Sequence, residues 1–251
     1  MSVLTILTEG STRILELNRP EKRNALNDEL ISTLKTALRE ADADGTLRAV
    51  VIRGAGKDFC SGADLASIQK IASASYEENL EDARSLAELF ELPRNIGVPV
   101  IAAVRGRALA GGFGLALACD LIVTDSTSRF GFPEVKIGFV PAMVAAMVRR
   151  NMSEKDAFAT LTLGYEMPGV ELSGIGLVHG IFNDESFDED VLNFARQYEK
   201  LSGSAVEMTK RLLYDIDGLP LADAIAKGVE TNARARMTDD CKAGIAKFLN
   251  K

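Results

Sequence analysis

The sequence predicts an α/β fold, and three observations carry that expectation. Apolar runs of strand length end in glycine-punctuated turns, helix patterns follow those turns, and the last third is helical almost throughout. In chain order, residues 3–8 and 12–18 flank Glu9-Gly10-Ser11 and read as a hairpin. Arg19 to Arg23 breaks the pattern. Asn27 then caps a helix, with Asp28 and Glu29 complementing its dipole and Leu30, Leu34, Leu38 and Ala41 on one face. That helix should stop near Asp44-Gly45. Ala49 to Ile52 is apolar without alternation, as in a strand covered on both faces. Residues 66–76 are small and polar and predict a mobile loop. Tyr76 to Leu92 predicts an amphipathic helix striped by Leu80, Ala83, Ala87 and Phe90, with Pro93 just beyond its end. Pro99 to Val104 predicts another buried strand, 112–119 a short helix of small residues, and Leu121 to Val123 a further strand. From Ala142 the pattern is helical over 142–150, 153–163, 169–176, 188–201, 204–216 and 220–249, with a strand signal only at Leu177 to Phe182. No linker or repeat divides the chain. An α/β core over residues 1–195 and a helical region over 196–251 should form one functional unit.

The composition, 251 residues with 47% hydrophobic and 26% charged, suits one large core. No apolar stretch has the length of a transmembrane helix, which gives no reason to expect a membrane partner. The first residues lack a basic n-region and an Arg-rich transit pattern, so the expected location is cytoplasmic. A net charge of −7 argues against a nucleic-acid partner, which needs a basic footprint to displace counterions. An anionic ligand would need a local cluster. Lys22 and Arg23, or the terminal Lys247 and Lys251, are the candidates, and each also reads as solvated surface charge. The three cysteines and single histidine show no metal-ligand spacing, so no metal and no added cofactor is expected. Cys60 lies in a glycine turn, but the one histidine, His179, sits in the apolar run GIGLVHGIF. A small buried cysteine and a packed or surface histidine are the favoured readings.

The chemistry is carried by two turns and one acid. The segments are KDFCSGADLA, Lys57 to Ala66, and RGRALAGGFGLALACDLIV, Arg105 to Val123; the acid is Glu134 in RFGFPEVKIGFVP. Gly111 follows a strand and opens a helix, so its N–H is one of the unpaired donors at a helix N-terminus. Ala63, in Ser61-Gly62-Ala63-Asp64, offers a second N–H. Two convergent donors make an oxyanion hole; taken singly, either turn also reads as mere tight connection. Other glycine-loop readings fail. Gly106 to Gly112 lacks the Lys-Ser/Thr of a phosphate loop, Gly114 is followed by Leu-Ala-Leu rather than a third dinucleotide-site glycine, and Ser61 lacks an esterase frame.

Together these segments resemble the crotonase superfamily, the enoyl-CoA hydratase/isomerase family, over nearly the whole chain. Asn18 to Leu26 is similar to its first CoA-facing loop, FCSGADL and LAGGFGLALACD to its two oxyanion segments, and FGFPEVKIGFVP to the strand and loop of its catalytic acid. The resemblance implies a ββα spiral with two stacked sheets, a helical C-terminal trimerisation region, and a homotrimer or hexamer. It implies oxyanion donors at Ala63 and Gly111 and an acid/base at Glu134. It places an acyl-CoA thioester against Lys22, Arg23, Ala25 and Leu26, with pantetheine passing Ala63, Asp64 and Leu65; CoA is then part of the substrate. Two departures matter. Ala66 stands where many members carry a lysine, and Gly114 stands where hydratases carry a second glutamate. One carboxylate suffices for enolate chemistry, so the resemblance implies a Δ3-Δ2-enoyl-CoA isomerase. The alternatives are a hydratase using another acid, from Glu77, Glu78, Glu81 or Asp82, or a non-catalytic acyl-CoA-binding member.

Overall fold

Strands such as 49–52 and 99–104 carry no polar alternation and need cover on both faces. A computed structural model describes residues 2–250, with the side chain of Leu65 outside the described set, and shows that cover. Strands β1 (Leu4–Glu9), β2 (Thr12–Leu17), β3 (Ala49–Gly54) and β4 (Val100–Val104) lie side by side in one sheet. A short β5 (Arg107–Leu109) leaves it before β6 (Leu121–Asp125) returns. With β9 (Gly180–Phe182) the order is β1-β2-β3-β4-β6-β9; β1 and β2 form the expected antiparallel hairpin, with Leu7 opposite Ile14, and later neighbours are parallel. The second sheet contains β5, β7 (Arg129–Gly131) and β8 (Glu166–Pro168).

Alternate residues of the large sheet serve two cores. Val50, Ile52, Val100, Ala102, Val104 and Ile122 point into the larger one, which includes Leu30, Leu34 and Leu38 of α1 (Asp28–Ala43). Ala49, Val51, Ile101, Ala103 and Val123 face the other way, onto Phe187, Val191 and Ala195 of α8 (Phe187–Ala195). Asn27 caps α1 as expected, accepting from the Leu30 N–H at 2.9 Å.

Several expectations change. Residues 66–76 do not form a loop: α2 spans Leu65–Ser73, because Asp64 caps it through the Ala66 N–H. Helix α3 (Tyr76–Asn95) runs through Pro93 rather than ending before it; the proline falls in the last turn and forgoes one i→i−4 bond, to the Leu89 carbonyl. Helix α4 (Gly111–Ala118) starts one residue early. Strands β5 and β8 were not foreseen, since three residues carry no readable period, and β7 was expected only through the family resemblance of FGFPEVKIGFVP. Helices α5 (Ala142–Asn151), α6 (Glu154–Thr162) and α7 (Gly169–Gly174) follow the pattern, while 188–201 divides into α8 and a 3-10 turn, Arg196–Lys200. Helix α9 (Gly203–Asp215) stands as expected. The predicted 220–249 helix is two, α10 (Leu221–Ala235) and α11 (Asp239–Leu249), because Thr238 caps a new start through the Cys241 N–H.

Helix α9 is tied to the core by a buried ion. Lys210 Nζ donates to the carbonyls of Pro93 and Val98 at 2.6 and 2.8 Å and to Asp120 Oδ2 at 2.7 Å. Burial pushes the ammonium pKa down, and the Asp120 carboxylate opposes that shift. Asp120 also accepts from the Tyr214 hydroxyl and the Val100 N–H. Beyond this tie, α10 and α11 expose Leu221 at 77% and Phe248 at 79%. Lys210→Met strands the Asp120 charge and both carbonyls, and removing one partner of a buried pair costs about 3–5 kcal/mol. The urea midpoint should fall accordingly; an unchanged midpoint would show that the tie is energetically idle.

Candidate active site

The two glycine turns lie directly against each other. Cys60 N–H donates to the Arg107 carbonyl at 3.1 Å, and Leu109 N–H returns to the Cys60 carbonyl at 2.9 Å. A Cβ on Gly112 would stand 2.2 Å from the Cys60 oxygen, and one on Gly62 would stand 2.6 Å from the Ala110 methyl and 3.5 Å from the Gly111 nitrogen. The approach therefore excludes side chains at both positions. It brings Ala63, exposed, beside Gly111, half-buried. No described group accepts a hydrogen bond from either N–H. Gly111 opens α4, so the helix dipole reinforces its donor. Ala110, just before it, is held at φ 52 and ψ −126, a conformation L-residues rarely adopt. Its N–H donates to the Gly131 carbonyl at 2.9 Å, a tether that sustains strain of about 1–3 kcal/mol.

Strand β7, which supplies that carbonyl, also carries the acid. Phe130 and Phe132 are fully buried and flank Phe113 of α4, with ring centroids at 5.2 and 4.8 Å. Backbone and rings thus clamp β7 against α4, and Glu134 follows in a 3-10 turn, Pro133–Ile137. Gly138, at φ +77, ends the turn. The Glu134 side chain is partly buried, and its Oε2 is enclosed without a hydrogen-bond partner. Burial raises its carboxyl above the usual range, with only its own backbone N–H acting the other way. Two free donors and one enclosed base can together hold a developing oxyanion and move a proton.

The other expected residues divide into two groups. Lys22 and Arg23 are exposed, and among the described residues neither forms an ion pair. Ala25 and Leu26 are buried, and their backbone is already engaged. Arg19 donates to the Ala25 carbonyl, Leu26 N–H to the Gly62 carbonyl, and Asp64 N–H to the Leu26 carbonyl. Asp64, expected along the pantetheine path, is 7% exposed; it caps Ala66 and meets Arg19 Nη2 at 2.6 Å. The Ala66 N–H and then Arg19 hold its carboxyl below the usual range. Asp64 thus braces the turn from inside. The Leu65 side chain and Lys251 lie outside the described residues. Cys60 is fully buried, and desolvation pushes its thiol up to about 12, which excludes a ready nucleophile. His179 is exposed, its ring 5.4 Å from that of Phe194.

Sequence reasoning missed Arg19 and Asn24. Asn24 is fully buried, donates to the carbonyls of Ala55 and Asp58 at 2.8 and 2.7 Å, and accepts from the Arg19 N–H. With Arg23 and Asn24 both at positive φ, it fixes the loop that presents Lys22 and Arg23. Phe90 and Val144 were missed too. They occupy the space in front of Gly114, where a Cβ would stand 2.8 Å from Phe90 Cζ and 2.6 Å from Val144 Cγ1. Among the acids offered as replacements, Glu78 is engaged in a capping box with Ser75, Glu77 and Glu81 are exposed, and Asp82 neighbours Lys70.

A family model described as enoyl-CoA hydratase/isomerase matches residues 8–251. The chain belongs to the enoyl-CoA hydratase/isomerase family. A Thermus thermophilus member, provisionally named an enoyl-CoA hydratase, is 39% identical over 243 residues, covering 97% of this chain and 96% of its own. The 2,3-dehydroadipyl-CoA hydratase of Escherichia coli K12 is 30% identical, covering 100% and 97%. The crystal structure of a Mycobacterium smegmatis enoyl-CoA hydratase superposes with a TM-score of 0.94 at 28% identity, covering 99% and 96%. The expected crotonase-type α/β fold is therefore present. These relatives carry hydratase names, which gives the isomerase expectation no support.

A carboxyl whose folded pKa lies above its unfolded value destabilises the fold once ionised, and the penalty disappears below the unfolded pKa. Glu134→Gln should accordingly raise the melting temperature at pH 7. The gain should shrink as pH falls toward the ordinary glutamate value of 4.5. Melts at both pH values check this; no gain at pH 7 would mean the enclosed carboxylate carries no penalty.

Proposed function

We propose that this member of the family moves a proton beside an acyl-CoA thioester and acts as a Δ3-Δ2-enoyl-CoA isomerase. The thioester oxygen lies between the N–H groups of Ala63 and Gly111, each donor being worth about 10²–10³ in rate. Glu134 takes the proton from the α-carbon of a 3-enoyl-CoA. The C–H electron pair passes into a dienolate whose charge rests on that oxygen. Glu134 then returns the proton to the γ-carbon, and the double bond comes to lie beside the thioester. A raised carboxyl pKa suits a group that must both take and give the proton. Lys22 and Arg23 are the exposed cations that meet the CoA phosphates. No added cofactor or metal takes part.

The observation that carries this reading is the packing of Phe90 and Val144 into the space before Gly114, which leaves Glu134 as the acid of the site. Hydration of a 2-enoyl-CoA is the second reading, favoured by the hydratase names of relatives such as that of Thermus thermophilus. It needs another group to hold the water. A non-catalytic binding role fits poorly with an enclosed Glu134 beside two open donors. We place the protein in the cytoplasm as a trimer or hexamer; support comes from the apolar residues along α10 and α11, among them Leu221, Ile225, Val229, Ile245 and Phe248. No described helix is long and apolar enough to cross a membrane.

Incubation with a 3-enoyl-CoA and with crotonyl-CoA separates isomerisation, hydration and silence. Glu134→Gln should lower proton transfer by orders of magnitude while acyl-CoA binding changes little. In the active enzyme, kcat/KM should fall on the acid side at a pH above that of an ordinary carboxylate. Wild-type turnover in the Gln variant would remove Glu134 from the mechanism. Light scattering at micromolar concentration should give a trimer or hexamer mass; a monomer would reject that assembly.

A further inference from the structure

Gly114 lies one helical turn beyond Gly111, so a side chain at 114 would share the face of the oxyanion donor. That direction is closed. Helix α4 lies between α3 and α5, and Phe90 and Val144, only 5% and 4% exposed, both bear on the bare backbone at 114. The Phe90 ring tip reaches it because glycine stands there; even a methyl group would stand 2.8 Å from the ring and 2.6 Å from Val144 Cγ1 and would demand that both move. Glycine and ring are therefore one fitted pair rather than two independent choices.

We infer that Phe90, backed by Val144, determines the outcome of the reaction by filling with hydrocarbon the space from which a held water would reach the substrate's β-carbon. The inference rests on the single-carboxylate reading above. An ordered water needs two to four polar partners, and a phenyl edge and an isopropyl group offer none. Among the described residues, Glu134 is then the one side chain left to give and take the enolate's proton, and the electron pair returns to carbon. Phe90 is thus a specificity-determining residue that touches no reacting atom through a polar group.

The test combines Phe90→Ala with Gly114→Glu. The ring removed and the carboxyethyl chain added are similar in size, so the pair conserves volume, whereas Gly114→Glu alone overpacks the site. In hydration, the water oxygen bonds to the β-carbon and its proton passes to the introduced carboxylate. The C=C pair moves into the enolate, and the α-carbon then takes a proton from Glu134. Gly114→Glu alone should melt below wild type, and adding Phe90→Ala should raise the melting point again. In the double variant, the ratio of kcat/KM for crotonyl-CoA hydration to that for 3-enoyl-CoA isomerisation should rise by about tenfold or more. A purely structural role would lower both rates together and leave that ratio unchanged. An unchanged ratio in the folded double variant overturns the inference. So does a double variant that melts no higher than Gly114→Glu, because the two side chains then do not compete for one space. Wild-type enzyme that hydrates as readily as it isomerises overturns the single-carboxylate reading instead, while the melting comparison still reports on the shared space.

Discussion

The structure depends on one close backbone approach, along which the segment after β3 lies flat against the segment opening β5 and α4. Two glycines make it possible: a Cβ on Gly106 would stand 2.0 Å from the Lys57 oxygen, and one on Gly112 2.2 Å from that of Cys60. No rotamer relieves a clash with backbone, so neither position tolerates a side chain without moving the chain itself. The approach spans both sheets, since β3 belongs to the large one and β5 to the small one. It also sets the Ala63 turn against Gly111.

Buried polar groups then hold the loops that this approach cannot reach. Arg19 joins Asp64 to the Ala25 carbonyl, and Asn24 joins the same loop to Ala55 and Asp58. Lys210 and Asp120 do the equivalent for α9 on another part of the molecule. In each case the charge or amide is held by hydrogen bonds, which is the condition under which burying it favours a single arrangement. Glu134 differs from these, as does Thr12, whose fully buried hydroxyl also has no partner among the described residues. The Glu134 Oε2 is enclosed and unpaired, as a group kept for a reacting partner would be.

Much of this was legible in the sequence. The hairpin, α1, the buried strands and the two turns follow from apolar runs, caps and glycines whose effect is local. The signal failed where distant residues decide. The turn motif gives no hint that Arg19 reaches Asp64 across 45 positions. Residues 66–76 look like loop until the cap at Asp64 is recognised. The three-residue strands depend on pairing rather than pattern, and the role of Phe90 depends on what faces it. A core stripe on a helix looks the same whether it meets leucine or the bare backbone of Gly114.

Strand β7 has a consequence for how the site tolerates change. Its last residue tethers Ala110, the residue before the Gly111 donor, and the chain leaving it carries Glu134. Base and donor are therefore mounted on a common support rather than on two independent loops. A displacement of β7 carries both in the same direction, so their separation drifts less than the position of either. Such common-mode mounting leaves the surrounding helices and loops free to diverge in sequence while the alignment of base and donor persists.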